Sequence, residues 1–485
     1  MAEKEGRSMK RASGVLMHVS SLWGDYSEGS FGSEAREWID FLADCGFSYW
    51  QVLPFCLPDD YNSPYASYSA FSGNPFFVDL PTLKNEGLLT EAELLSARQK
   101  TPYMCEFDRL REERFALLAK AAGRFNDRQA ISAFLDANKP VADFCRYMAL
   151  KEANGQRAWT EWTTDIPDEK VLAVWQFIEY EFFTQWKAVK AYAKEKGVAV
   201  IGDIPIYVAW DSADVWADPG QFRLDEDNKP SCVAGVPPDY FCADGQLWGN
   251  PLYDWDAMKR DGYAWWCERM RFMTSLFDGV RIDHFRGLES YYSIPADEKT
   301  AKNGKWVKGP GMDLISALKP VCENSLIIAE DLGDITPEVH RLVGDSGYPG
   351  MRVLQFGFLG DPDSPHLPHN YVNNCVAYTG THDNNTLLGY VWELSDENRR
   401  RLLAYCGYTG DDWDKSYDAI LRTMFASSAG LLILPVQDLL LYGSDTRLNT
   451  PGKGTGNWSY RITREQLAAV DRGKFRLWNE LYARK

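Results

Sequence analysis

Basic residues are in deficit. The 485-residue chain carries 52 Lys and Arg against 69 Asp and Glu, a formal net charge of −17. Nucleic acid and anionic membrane surfaces both need a basic footprint, so neither is expected as a partner. Close cysteine pairs are also missing. The ten cysteines, at 45, 56, 105, 145, 232, 242, 267, 322, 375 and 406, are scattered without a CxxC, which fits neither a disulfide framework nor a zinc site. No apolar run approaches the ~18 residues of a membrane span, and the N-terminal stretch MAEKEGRSMKRASG has no apolar core of a signal peptide. A reduced, cytoplasmic chain is expected. Internal repeats and low-complexity linkers are lacking too, which leaves one continuous globular text.

Aromatics are plentiful: 24 Phe, 18 Trp and 25 Tyr make 14 % of the chain. Trp is rarely buried completely, so about half of the tryptophans are assigned to the core and the rest to a cleft, where sugar faces are natural stacking partners. Eight short apolar runs end in polar or Gly-rich turns. They are 14–22 (GVLMHVSSL), 48–55 (SYWQVLPF), 198–208 (VAVIGDIPIYV), 277–284 (FDGVRIDH), 325–332 (SLIIAEDL), 351–358 (MRVLQFGF), 375–383 (CVAYTGTHD) and 431–439 (LLILPVQDL). Continuous runs rather than strict alternation suit parallel strands covered on both faces. Helical patterns lie between many of them, such as 33–45 with Ser33 as its N-cap and Gly46 past its end, and 171–196 closed by Gly197. The pattern predicts an α/β chain folded as a (β/α)8 TIM barrel over residues 1–485. About 140 residues separate the second and third runs, too many for one crossover, so a helical insertion is placed at 80–170. A loop-rich insertion is placed at 211–259.

Reactive groups of such barrels cluster at the C-terminal strand ends. Arg281 and Asp283 end the fourth run two positions apart, on one side of the strand. Glu330 ends the fifth, and His382 and Asp383 end the seventh. A single strand-end carboxylate is usually a cap, but three, with an Arg beside one, point to glycosidic bond chemistry, which needs one ionised and one protonated carboxyl. Arg281 favours the anion at Asp283, as a nucleophile requires. Glu330, facing other carboxylates in a partly dry cleft, is expected to hold its proton and to act as general acid and then base. Asp383 would bind sugar hydroxyls, with His284 and His382 as hydroxyl donors. The alternatives for the two histidines are core filling or metal ligation, and adjacent HD and DH pairs do not make a preorganised ligand set.

The stretches GVRIDH (279–284), AED (329–331) and GTHDN (380–384) resemble the active-site strand ends of the α-amylase clan. NSPYASYSAFSGNP (62–75), IGDIPIYVAWDSADVW (201–216), GVPPDYFCADGQLWGNPLYDW (235–255), GYPGMRVLQF (347–356) and NTPGKGTGNW (449–458) resemble the 4-α-glucanotransferases, also called amylomaltases or disproportionating enzymes. These matches span nearly the whole chain. The resemblance implies a retaining (β/α)8 enzyme without metal or cofactor, acting on maltooligosaccharides and α-glucans as donor and acceptor. Carried over, it makes Asp283 the nucleophile, Glu330 the acid/base and Asp383 the transition-state stabiliser. Arg281, His284 and His382 become their supports, and Tyr65 an aromatic platform beside the scissile bond. It also implies substrate contacts at Asp203, at Asp239, Gln246 and Trp248 in one acceptor-side loop, and at Asn457 and Trp458. Arg461 follows that last pair one position later than in the family pattern. Hydrolytic relatives usually carry Asn-His at the third strand, where this chain has Asp203 to Tyr207 (DIPIY) and no His, so transfer is favoured over hydrolysis. Tyr240, Phe241, Trp248 and Tyr253 are expected to form a lid that keeps water out. A hydrolase of the same clan is the alternative. A catalytically dead glucan-binding protein is disfavoured, since all three carboxylates are intact.

Overall fold

Each of the eight apolar runs supplies one barrel strand in the computed structural model, which describes residues 9–238, 243–358, 362–410 and 412–485. The strands are β1 (Ala12–Leu16), β2 (Tyr49–Gln51), β3 (Ala199–Ile204), β4 (Gly279–Ile282), β5 (Leu326–Ala329), β6 (Gly350–Val353), β7 (Cys375–Tyr378) and β8 (Leu431–Pro435). Each pairs in parallel with its sequence neighbours, and β8 closes on β1 through Ala12–Leu431 to Leu16–Pro435. Helices cover the outside and side chains fill the inside, so both strand faces are buried and the apolar runs are continuous. Close packing reaches the backbone at Gly202, where a Cβ would stand 2.3 Å from the Phe277 ring. The expected (β/α)8 barrel is thus the observed one. Among the described residues no helix is long and apolar enough to cross a membrane, and the described cysteines are free thiols.

Helix α1 (Ser33–Cys45) ends as expected, with Gly46 at φ 78 in the left-handed region that glycine tolerates. Its start differs. Gly32 is the N-cap, and Ser33 is the first helical residue, its hydroxyl turned to Glu34. Between β2 and β3 the chain runs through several helices, including α2 (Lys139–Ala153) and the 27-residue α3 (Glu169–Glu195). Asp168 caps α3 by accepting from the N–H groups of Lys170 and Val171. Phe182 and Trp186 of α3 meet Phe31, Phe55 and Phe277, with Phe55 and Trp186 edge to face at 4.7 Å.

Residues 211–259 are more ordered than a loop. Cys232–Val236 and Gln246–Pro251 join Ser290–Pro295 and Lys305–Lys308 in an antiparallel side sheet, ordered 246–251, 232–236, 290–295, 305–308. Its outer strand, 246–251, has four exposed residues at its start, so it lacks the alternation that marks a strand in sequence.

Burial of carboxyls sets a pH dependence of stability. Glu28 is 3 % exposed, its Oε2 meets no donor among the described residues, and burial pushes it up to about 8 against the pull of Arg114 and Arg461. A carboxyl raised in the fold binds its proton more tightly folded than unfolded, so stability falls as pH rises between ~4.3 and about 8. Urea midpoints are expected to drop from pH 5 to pH 8, and Glu28→Gln to flatten that slope by as much as about 1.4 kcal/mol per pH unit.

Candidate active site

Arg281 lies inside the barrel near the C-terminal end of β4, its side chain 5 % exposed. Its guanidinium forks between two carboxylates. Nη1 donates to Asp203 Oδ1 and Oδ2 at 2.8 and 2.6 Å, and Nη2 to Asp283 Oδ1 at 2.7 Å. The pairing of β3 with β4 sets Asp203 opposite Arg281, and the two-residue strand period brings Asp283 to the same side. Burial disfavours the cation, and Asp203 and Asp283 more than offset it, so Arg281 stays charged. Two carboxylates share this buried cation, so it keeps the Asp203 pair when Asp283 is neutralised, and only the loss of both would strand a buried ion. Asp203 also accepts from the Tyr65 hydroxyl at 2.7 Å. Burial pushes that phenol well up, so it remains a neutral donor.

Glu330 sits one residue past β5, 8 % exposed. Two backbone N–H groups reach it, His284 N to Oε2 at 2.7 Å and Leu332 N to Oε1 at 3.0 Å. Burial, then the charge of Asp283, pushes its carboxyl up to about 8, against Arg281 and those two donors. His284 holds its N–H toward Glu330 by a left-handed turn at φ 49, a strained conformation for a non-glycine residue. Burial lowers its imidazole to about 4, so it is neutral at pH 7.

Asp383 lies in the loop after β7, its side chain 45 % exposed, with His382 Nε2 3.4 Å from Oδ1. Two residues that sequence reasoning did not single out hold it. Asn449 Nδ2 donates to Oδ1 at 2.6 Å, and Arg447 donates to its backbone oxygen. Asn449 opens the NTPGKGTGNW stretch but sits 66 residues away, so only folding reveals the contact.

Asp283, His382 and Asp383 line a cleft of about 450 Å³, together with Tyr65, Asn449 and Trp458 and with Tyr207, Trp210, Gln246 and Trp248. Tyr65 stacks on His382 at 5.0 Å, and Trp458 leans on both. Trp248 meets the His284 edge at 4.9 Å and donates to Gln246 Oε1 at 3.1 Å. Tyr207 and Trp210 belong to the quoted IGDIPIYVAW stretch, but nothing in its pattern separates cleft-facing aromatics from packing ones. Tyr253 corrects the lid expectation: it is fully buried, stacks on Tyr207 at 5.9 Å and donates to Ile206 O, so it packs the loop onto the barrel. Asp239, Tyr240 and Phe241 lie outside the described residues. Asn457 is not brought into the cleft. Its Oδ1 accepts from Thr450 N and its Nδ2 donates to Lys453 O, so it staples its own loop while Asn449 faces inward. Arg461 is buried away from the cleft, donating to Leu22 O and Gln99 Oε1.

A sequence profile of glycoside hydrolase family 77, described as 4-alpha-glucanotransferase, matches residues 17–467. The 4-alpha-glucanotransferase of Synechocystis is 42 % identical over 98 % of both chains, and that of Streptococcus pneumoniae serotype 4 is 44 % identical over 96 % of both. Among solved structures, amylomaltase from Streptococcus agalactiae in complex with acarbose superposes with a TM-score of 0.94 at 37 % identity, covering 98 % of this chain and all of that one. Amylomaltase from Corynebacterium glutamicum shares the fold at a TM-score of 0.79 and 18 % identity, over 98 % of this chain and 74 % of that one.

Proposed function

The chain belongs to the 4-alpha-glucanotransferases of glycoside hydrolase family 77, and from that premise we propose that it moves a segment of a 1,4-α-glucan from a donor to the 4-hydroxyl of an acceptor through a glycosyl-enzyme on Asp283. The observation that carries the residue assignment is the asymmetry of two carboxyls on adjacent strand ends. Asp283 is held by the charged Arg281, while Glu330 keeps its proton up to about 8. Such divergence is what separates nucleophile from acid.

In the first step an Asp283 oxygen attacks the anomeric carbon, and Glu330 passes its proton to the departing glycosidic oxygen. The leaving chain carries off a new 4-hydroxyl. Once ionised, Glu330 is stabilised by the N–H groups of His284 and Leu332. In the second step the acceptor 4-hydroxyl returns its proton to Glu330 and its oxygen displaces Asp283, so the α configuration is retained. Asp383, steadied by Asn449, binds the hydroxyls of the reacting sugar. Tyr65, Trp248 and Trp458 offer ring faces to the glucan, and occupancy of the acceptor side by sugar keeps water from the glycosyl-enzyme. Free thiols at scattered positions support a reducing, cytoplasmic setting.

Incubation with maltotriose alone in EDTA is the direct test. The expected products are glucose and a ladder of longer maltodextrins with little gain in reducing ends. Glucose and maltose alone, with reducing ends rising in step, would make water the acceptor and restore the hydrolase reading. A second expectation concerns Asn449. Asn449→Ala leaves Asp383 without its 2.6 Å donor, a loss of about 1–3 kcal/mol, so kcat on maltotriose should fall roughly 10- to 100-fold. Unchanged kinetics would remove Asn449 from the assignment.

A further inference from the structure

Arg286 stands three residues past Asp283 and is 4 % exposed. Its guanidinium donates to the backbone oxygen of Asp334 and, at 3.3 Å, to Ser290 Oγ. The same group lies 3.9 Å over the ring of Trp306. Asp334 belongs to the turn that begins at Glu330 and presents the Leu332 N–H to Glu330 Oε1 at 3.0 Å. Trp306 belongs to Lys305–Lys308 at the edge of the side sheet, braced edge-on by Tyr292 at 5.2 Å. The strand is tied down by Gly309 N donating to Glu289 O at 2.7 Å. One planar cation therefore joins the turn after β4 to the turn after β5, resting on an aromatic face that the barrel itself does not supply. Its Nη groups carry these bonds, and its Nε meets no acceptor among the described residues.

We propose that Arg286 is a positioning residue for Glu330: by clamping the Asp334 carbonyl on the Trp306 platform, it holds the 330–334 turn where the Leu332 N–H meets the Glu330 carboxyl. This rests on the assignment of Glu330 as acid and base. The mechanism is geometric. Leu332 N donates to the ionised form, so a slack turn removes a bond that favours the carboxylate and lets the carboxyl swing off the scissile oxygen. The charged groups facing Glu330 are Asp283 and Arg281 on β4, and neither touches Arg286. Those facing Arg286 are Asp334, Glu289 and the His284 imidazole, which its charge helps keep neutral, with Lys308 paired to Glu289. A lysine at 286 keeps the charge, but it has neither the planar stack nor the forked donors.

The test compares Arg286→Lys, Arg286→Ala, Trp306→Phe and Trp306→Ala as full chains, with kcat and KM for maltotriose measured across pH and melting temperatures recorded alongside. Arg286→Lys and Arg286→Ala are expected to lower kcat about 10- to 100-fold, with KM within about twofold. The alkaline limb of the kcat profile should move to higher pH. Trp306→Phe should keep near-native kinetics, because a ring face remains, and Trp306→Ala should follow Arg286→Lys. An alkaline limb that stays in place, or kcat losses that merely track the melting temperatures, would overturn the proposal. Should the wild-type limb near 8 survive in Glu330→Gln, the assignment of Glu330 falls and the inference with it; a Glu330 limb that ignores Arg286 removes the inference alone.

Discussion

Asp283→Asn is expected to lower turnover of maltotriose on the order of 10⁵-fold or more, the scale seen when a covalent nucleophile is removed. The substitution is nearly isosteric and Oδ1 can still accept from Arg281, so the fold and glucan binding should persist. What is lost is the anion, since an amide oxygen is too poor a nucleophile to displace a sugar alkoxide. A stereochemical readout makes the assignment sharper. In Asp283→Ala, azide can enter the vacated space and displace fluoride from an α-maltosyl fluoride, giving the β-azide by a single inversion. The parent enzyme, by two displacements, keeps α products. Activity of Asp283→Asn within about tenfold of the parent, measured on freshly purified protein to exclude deamidation, would sink the assignment, because no partial contribution by a nucleophile is that small.

The barrel was legible because its chemistry repeats locally. Eight buried strands leave eight apolar runs, and strand-end placement brought Arg281, Asp283, Glu330 and Asp383 to one rim. The Arg281–Asp283 pair followed from strand period alone. Residues whose part depends on distant segments were not legible. Asn449 reaches Asp383 across 66 positions, and Arg286 reaches the Glu330 turn across 48. Asn457 shows the opposite error. Lying beside the cleft-lining Trp458, it shares the same motif, yet its amide is spent within the loop. Motif resemblance locates a loop, whereas backbone conformation decides which of its side chains faces the sugar. Trp458, at φ 66, turns its ring toward Tyr65 and His382 by a conformation that composition does not announce. The side sheet escaped notice for a related reason: strand 246–251 starts with exposed residues and is held by backbone pairing with 232–236.

Glu330→Gln should separate the two halves of the reaction. With maltotriose the leaving group is a sugar hydroxyl that needs a proton, so kcat should fall roughly 10²- to 10⁴-fold. With α-maltosyl fluoride the leaving group departs with little protonation, and the first step should survive. The second step still lacks its base, so the glycosyl-enzyme should accumulate and be visible by intact mass. Azide, which needs no deprotonation, should release it as the α-azide, opposite in configuration to the product from Asp283→Ala. The pH profile supplies an independent sign. Glu330 must be protonated to open the donor, and burial with Asp283 holds its proton up to about 8, so the wild-type rate should decline as pH rises through that region. A glutamine cannot titrate, and in Glu330→Gln that limb should vanish while the residual rate stays flat. If the fluoride and maltotriose rates fell equally, Glu330 would be supporting the site's shape rather than moving a proton. The raised carboxyl would then be a consequence of burial alone. The divergence between the two donors therefore decides whether the asymmetry between Asp283 and Glu330 is chemistry or packing.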